Sequence, residues 1–252
     1  MAENKDNLKL DGLREEIRGS VRYFADKLVT GLGDNLQSIT VVGSSLTEDF
    51  IPGKSDINTV IVLGKQTLDS LNILAGLARS MRKRKLAAPL IMTPGYIEHS
   101  RDVFGIELLD LQLTHQTILG DDPFEELTFD KRDVRLQCER ELKATLIRLR
   151  QGYIAAAANK KLLRDILAST ANGLAPLLRA MLWLKDSDRP HQAEAVFKKS
   201  ATEFSIKADF LITARKWRHE KTRLEREKIA TAFESIYTTA EQLAIIVDKL
   251  EV

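Results

Sequence analysis

The segment SITVVGSSLTEDFIPGKSDIN, residues 38–58, carries the strongest structural signal in this chain. Its beginning, Ser38–Gly43, is rich in β-branched side chains and predicts a short buried strand. A loop that contains Pro52 and Gly53 follows, and Ile57–Leu63 then has the sequence INTVIVL, which predicts a second strand. Two short strands joined by a loop of this kind indicate a sheet domain in the first half of the chain.

The end of the first predicted strand and the start of the second bear groups that suit a phosphorylated ligand. Gly43 has no Cβ, so a turn through Gly43-Ser44-Ser45 lets backbone N–H groups approach an anion, and Ser44 adds a hydroxyl donor. Asp56 and Asn58 are two residues apart, which on a strand places both side chains on one face. Mg²⁺ prefers such oxygen ligands and takes others from phosphates and water. We therefore predict nucleotide phosphates at Gly43, Ser44 and Ser45, and Mg²⁺ at Asp56 and Asn58.

A third oxygen ligand is needed to hold the metal against a nucleotide, and the apolar run Val103–Leu111 is predicted to be a strand that supplies it. Its two acids, Glu107 and Asp110, would lie on opposite faces of such a strand. Glu107 stands between Ile106 and Leu108, where a charge is costly unless it is paired or bound to metal. Glu107 is therefore the preferred catalytic and metal-binding acid, and Asp110 is the alternative.

The remaining patterns divide the chain into two parts. The first, residues 1–120, is predicted to be a small mixed-sheet α+β domain with the element order α-β-β-α-β-β. Its other elements are an amphipathic helix over Leu13–Leu28, a helix over Leu68–Met81 and a strand over Pro89–Thr93. The second part, residues 121–252, is predicted to be an all-α bundle of the four-helix type. Its helices are expected over Val134–Ala158, Lys161–Leu184, Gln192–Arg218 and Leu224–Leu250, with Pro176 kinking or splitting the second and Asp121-Asp122-Pro123 forming the N-cap and entry of a helix.

Composition excludes several classes of protein. The 252 residues are 44% hydrophobic and 29% charged, which excludes intrinsic disorder. The 38 basic and 36 acidic side chains give a net charge of +2, which offers no electrostatic reason to expect a nucleic-acid partner. The single cysteine, Cys138, excludes a disulfide framework and is predicted to be a packed core thiol. Without a signal-peptide pattern or a run of about 18 apolar residues, we expect a soluble cytoplasmic protein.

These motifs resemble those of the nucleotidyltransferase superfamily with the DNA polymerase beta-like fold. That pattern has Gly-Ser after a strand, an Asp-x-Asp/Glu pair opening the next strand, and a third carboxylate on a later strand. The matching positions here are Gly43, Ser44, Asp56, Asn58 and Glu107. The chain is also similar to the bacterial aminoglycoside nucleotidyltransferases, in which a helical bundle follows the catalytic domain. Uncharacterised bacterial nucleotidyltransferase-like proteins are similar too, at Ser55–Asn58 and Gly120–Pro123.

The resemblance implies Mg²⁺-dependent transfer of a nucleoside monophosphate from a nucleoside triphosphate, with ATP favoured, to a hydroxyl of a small molecule or protein. Glu107 would orient or deprotonate that hydroxyl. The departure is Asn58, because an amide in place of the second carboxylate adds no charge for a second metal ion. The alternative is therefore a catalytically degenerate member that acts as a nucleotide-binding or protein-interaction module, with the helical half as a possible homodimer face. RNA-directed nucleotide addition is disfavoured by the balanced charge.

Overall fold

The computed structural model describes residues 8–157, 159–217 and 224–252. The chain forms two compact units. The first comprises the residues up to Arg101 together with Leu108–Thr128, and the second comprises Asp102–Glu107 together with Phe129–Val252. The domain boundary between residues 120 and 121 stays a prediction, because compactness alone does not show which segments fold independently.

A four-stranded mixed sheet is the centre of the first unit. Its strands are β1 (Leu36–Val42), β2 (Asn58–Leu63), β3 (Leu90–Met92) and β4 (His115–Leu119). Their order across the sheet is β3-β2-β1-β4, with β1 antiparallel to β2 and β4, and β2 parallel to β3. The predicted mixed sheet and the three predicted strands that became β1, β2 and β3 are confirmed.

Two helices cover one face of this sheet, α1 (Glu15–Leu32) and α2 (Leu68–Lys83). The apolar stripe of α1 packs with β1 and β2 in one buried cluster, where Ile39 and Ile61 are fully buried. Gly33 ends α1 by taking a φ of +54°, a conformation that glycine adopts without strain. Thr67 caps α2 by accepting a hydrogen bond from the N–H of Ser70.

The predicted strand over Val103–Leu111 is wrong, since this segment forms a helix. After the short helix α3 (Pro94–Glu98), α4 spans Gly105–Leu113. Ile106, Leu108 and Leu109 are buried, whereas Glu107 is exposed. Two adjacent buried residues fit a period of 3.6 and not the alternation of a strand.

The second unit is helical throughout the part that the structure describes. Its helices are α5 (Lys131–Ala156), α6 (Lys160–Leu184), α7 (Ala193–Phe204), α8 (Asp209–Lys216) and α9 (Arg226–Asp248). The helix predicted over residues 192–218 is two helices, and its last residue, Arg218, lies outside the described residues, as does residue 158.

Three further expectations concern the helical unit. Helix α6 continues through Pro176, so the predicted split is wrong, whereas a kink there stays a prediction. Asp121 and Asp122 do not begin a helix, because the N-cap of α5 is Asp130, whose side chain accepts from the N–H of Arg132. Cys138 is fully buried in α5, as predicted. Among the described residues, no helix is long and apolar enough to cross a membrane.

Candidate active site

The Gly-Ser turn lies at the end of β1, as predicted. Gly43–Leu46 form one short 3₁₀ turn, in which Gly43 has a φ of +74° and donates its N–H to the carbonyl of Thr114 at 3.1 Å. The Ser45 hydroxyl is buried and donates to the carbonyl of Val42 at 3.3 Å. The half-buried Ser44 hydroxyl makes no hydrogen bond to another described residue. Ser44 therefore presents the free hydroxyl of this turn.

The segment from Asp56 to Asn58 begins β2 beside this turn. Asn58 is the direct partner of Val42 in the β1–β2 pair, and a Cβ added to Gly43 would be 3.7 Å from Asn58 Nδ2. Ile57 is buried, and its N–H donates to the carbonyl of Lys85 at 2.7 Å. Asp56 and Asn58 on either side of it are exposed, an alternation that fits the same-face placement predicted for them.

The third acid does not come from a later strand. The strands that follow β2 have the sequences LIM and HQTIL, neither of which contains Asp or Glu. Glu107 lies on α4 within the second unit, so the expectation that a strand would carry it is wrong. An exposed helical position imposes no cost on a charge, which removes the reason for preferring Glu107 to Asp110. The role of either acid stays a prediction.

Glu107 instead lines a cavity of about 520 Å³ within the second unit. Arg148 lines the same cavity, and its Nη2 donates to Thr145 Oγ1 at 2.9 Å and lies 3.5 Å from Glu141 Oε2. Burial raises the pKa of the nearby Cys138 thiol to about 12, and the charge of Glu107 adds to that shift. Cys138 is therefore a neutral thiol and not a nucleophile.

A histidine–aspartate pair that no sequence motif predicts lies at the same end of the sheet. His115, the first residue of β4, pairs with Val42 from the side opposite to Asn58. Its Nε2 lies 2.7 Å from Asp122 Oδ2, and its Nδ1 lies 3.0 Å from the carbonyl oxygen of Gln112. Both ring nitrogens of His115 are therefore engaged, one with a carboxyl group and the other with a backbone carbonyl.

Asp122 forms a turn and does not cap a helix. Burial opposes its charged form, but hydrogen bonds from the N–H of Phe124 and from His115 outweigh burial and lower the pKa of the Asp122 carboxyl. A carboxylate that accepts from the N–H two residues later forms an Asx turn. The seven-residue separation of His115 and Asp122 has no motif in the sequence that would signal their contact.

The oxygen donors of Asp56 and Asn58, at the start of β2, fit one Mg²⁺ better than two. Asp56 supplies one carboxylate and Asn58 one amide carbonyl, which suits an ion that takes its other ligands from a triphosphate and water. A second ion would need a further carboxylate. Among the described residues, no three His, Cys, Asp or Glu side chains lie close enough together to hold a metal without a ligand.

The small mixed sheet, the Gly-Ser turn after β1, the Asp-x-Asn segment at β2 and the helical unit are the features that the resemblance to the nucleotidyltransferase superfamily implies. The chain shares its fold with a solved adenyltransferase. It is similar to the crystal structure of spectinomycin adenyltransferase AAD(9) from Enterococcus faecialis with ATP and spectinomycin, with a TM-score of 0.56 and 13% identity over 88% of this chain and 98% of that one. No protein-family model and no curated protein matches the chain. The fold implied by the sequence resemblance is thus confirmed.

Proposed function

We propose that this protein is a Mg²⁺-dependent nucleotidyltransferase that transfers a nucleoside monophosphate, preferably from ATP, to a hydroxyl of a small-molecule or protein acceptor. The main support is the pairing of Val42 with Asn58, which brings the predicted phosphate-binding turn beside the predicted metal-binding segment. The same fold holds ATP in the spectinomycin adenyltransferase structure.

In this proposal the residues at the end of β1 bind and orient the triphosphate. The Ser44 hydroxyl donates to a phosphate oxygen, and Gly43 leaves room for that oxygen because it has no side chain. Asp56 and Asn58 would hold the Mg²⁺, which would supply positive charge against the phosphates. The acceptor hydroxyl attacks the α-phosphorus in line, its proton passes to a base, and pyrophosphate leaves.

The base is a carboxylate or a water molecule and not His115, because both ring nitrogens of His115 are already hydrogen-bonded to Gln112 and Asp122. Glu107 is the acid that we propose as the base for the acceptor proton, and Asp110 is the alternative. If it acts in this way, Glu107→Gln lowers the transfer rate with little change in ATP affinity, since an amide cannot take up the proton.

Titration calorimetry with ATP, with and without Mg²⁺, tests nucleotide binding. We expect binding that requires Mg²⁺ and that weakens about tenfold or more in Asp56→Ala, because a charged ligand to the ion is lost. Asp34→Ala is the matched control, since Asp34 is an exposed aspartate just before the opposite end of β1. Failure of all four common nucleoside triphosphates to bind would contradict the proposal.

Release of pyrophosphate in an acceptor screen then separates an enzyme from a binding module. Asn58→Asp adds a carboxylate beside Asp56 and should raise Mg²⁺ affinity in either case. In an enzyme that change also alters the rate of pyrophosphate release. Nucleotide binding without release for any acceptor would instead indicate the catalytically degenerate module.

A further inference from the structure

The first unit also has a cavity, of about 540 Å³, which lies at the end of β1 that is remote from the Gly-Ser turn. Ser38 and Val62, which are direct partners in the β1–β2 pair, line it from the sheet. Ser38 is five positions before Gly43, roughly 16 Å along an extended strand. The cavity shares no lining residue with the predicted nucleotide and metal site, and its volume lies within the range of small-molecule pockets.

The lining is acidic. Glu98, Asp121 and Asp122 line the cavity, and none of its lining residues in the described part of the chain is Lys, Arg or His. Arg101 forms an ion pair with Glu98, and the His115 ring hydrogen-bonds to Asp122, so each of these two acids has a partner. Asp121 is exposed and makes no bond to another described residue. Asp121 is therefore the acid at this cavity that has no partner among the described residues.

Ser38, which lines this cavity, has a polar atom without a partner in the described part of the chain. Ser38 is only 3% exposed, and its Oγ has no hydrogen-bond partner among the described residues. A buried hydroxyl without a hydrogen bond costs about 1–3 kcal/mol. This cost is removed when a ligand donates a hydrogen bond to Ser38.

The backbone places Ser38 and Asp121 close together. Gly120 has a φ of +75°, and a Cβ at that position would be 1.9 Å from the carbonyl oxygen of Gln37 and 3.0 Å from the Cα of Ser38. Only glycine permits so close an approach. The residue after it, Asp121, is thereby held beside the start of β1.

We propose that this cavity binds a small organic molecule that has one ammonium group and an apolar body. The ammonium group has three donors, which serve the Asp121 carboxylate and the unpartnered Ser38 Oγ together. The apolar body packs against Val62, Ile97 and Leu127. A metal ion is a poorer occupant, because the described acids include no group of three that could hold one. The proposal does not depend on nucleotide binding elsewhere.

A titration followed by calorimetry, without nucleotide, tests this site with 4-phenylbutylamine and its neutral analogue 4-phenylbutan-1-ol. We expect the amine to bind at least about tenfold more tightly than the alcohol, because only the amine carries the charge that Asp121 attracts. Asp121→Asn should weaken amine binding about tenfold and leave binding of the alcohol unchanged.

Ser38→Ala gives a second, independent measurement. In the free protein it removes a hydroxyl that has no partner, so thermal stability should not fall, whereas amine affinity should fall about threefold to tenfold. Thr59→Val is the matched control, because the Thr59 hydroxyl is also buried without a partner but belongs to the residue paired with Val41, on the other face of the sheet. It should leave amine affinity unchanged.

Three results would overturn the proposal. The first is equal binding of the amine and the alcohol. The second is no binding of the amine at about 10 mM, a concentration that detects binding free energies near −3 kcal/mol. The third is a loss of amine affinity in Thr59→Val as large as that in Ser38→Ala. Preference for the amine that is lost in Asp121→Asn and reduced in Ser38→Ala would support it.

Discussion

Gly43 and Gly53 have nearly the same left-handed backbone, with φ of +74° and +76°, but only Gly43 lies beside the candidate site. Nothing lies within 4 Å of a Cβ at Gly53, and the nearest atom to a Cβ at Gly43 is Asn58 Nδ2 at 3.7 Å. Neither alanine substitution therefore causes a clash. Each should cost roughly 1–2 kcal/mol for the strained conformation, which lowers the melting temperature by several degrees.

Only Gly43→Ala should also weaken Mg²⁺-ATP binding, because its methyl group occupies space that the proposed phosphate needs. Thermal unfolding and calorimetry on the two variants separate these effects, with Gly53→Ala correcting for the loss of stability. Equal loss of ATP affinity in both variants, or in neither, would contradict the assignment of Gly43.

At the level of single residues, sequence could identify the groups whose chemistry depends on neighbours along the chain. Gly43, Ser44, Asp56 and Asn58 belong to two local segments, and a strand end brings them together. The bond between His115 and Asp122 depends on the reversal of the chain after β4, which no local pattern records. Such a contact becomes visible only in three dimensions.

Among the secondary-structure elements, those with a strong period were predictable and short apolar runs were not. Helix α1 shows a clear stripe, and β1 and β2 are β-branched runs. Residues 103–111 are apolar on almost every side, so length and periodicity cannot distinguish a strand from a helix there. Glu107, which was expected on a strand, therefore lies on the exposed side of α4. Strand β4 was not predicted because its first residues, His115 and Gln116, are polar.

The break between α7 and α8 has a specific cause at Ser205. This residue has a φ of +52°, and the N–H of Ile206 donates to the carbonyl of Ala201, which is the pattern that ends a helix with a left-handed residue. Ser205→Gly should therefore raise the free energy of unfolding by about 0.5–1 kcal/mol, because glycine adopts this backbone without strain.

Chemical unfolding of Ser205→Gly measures this gain. Thr202→Gly serves as the comparison, because Thr202 is exposed in the last turns of α7, where glycine should lower stability slightly. A loss of stability in Ser205→Gly as large as that in Thr202→Gly would mean that the backbone at Ser205 is not left-handed.

At the scale of the whole molecule, the chain has two compact units, and each buries leucine side chains completely. Leu28 lies in α1 of the first unit and Leu178 in α6 of the second, both with no exposed surface. The substitutions Leu28→Ala and Leu178→Ala are chemically identical, and each should cost about 2–5 kcal/mol through lost burial and a cavity.

If the units unfold separately, each substitution increases hydrogen exchange only in its own unit, because local unfolding follows cooperative groups of residues. Amide exchange measured by mass spectrometry, peptide by peptide, detects this directly. Faster exchange spread over both units in either variant would show that they unfold together. Peptides that cover residues 102–128 are the most informative. Exchange in each of these peptides should increase only in the variant of the unit to which the peptide belongs. The peptides therefore test whether the chain divides after residue 120, as its sequence predicts, or after residues 107 and 128, as the compact units do.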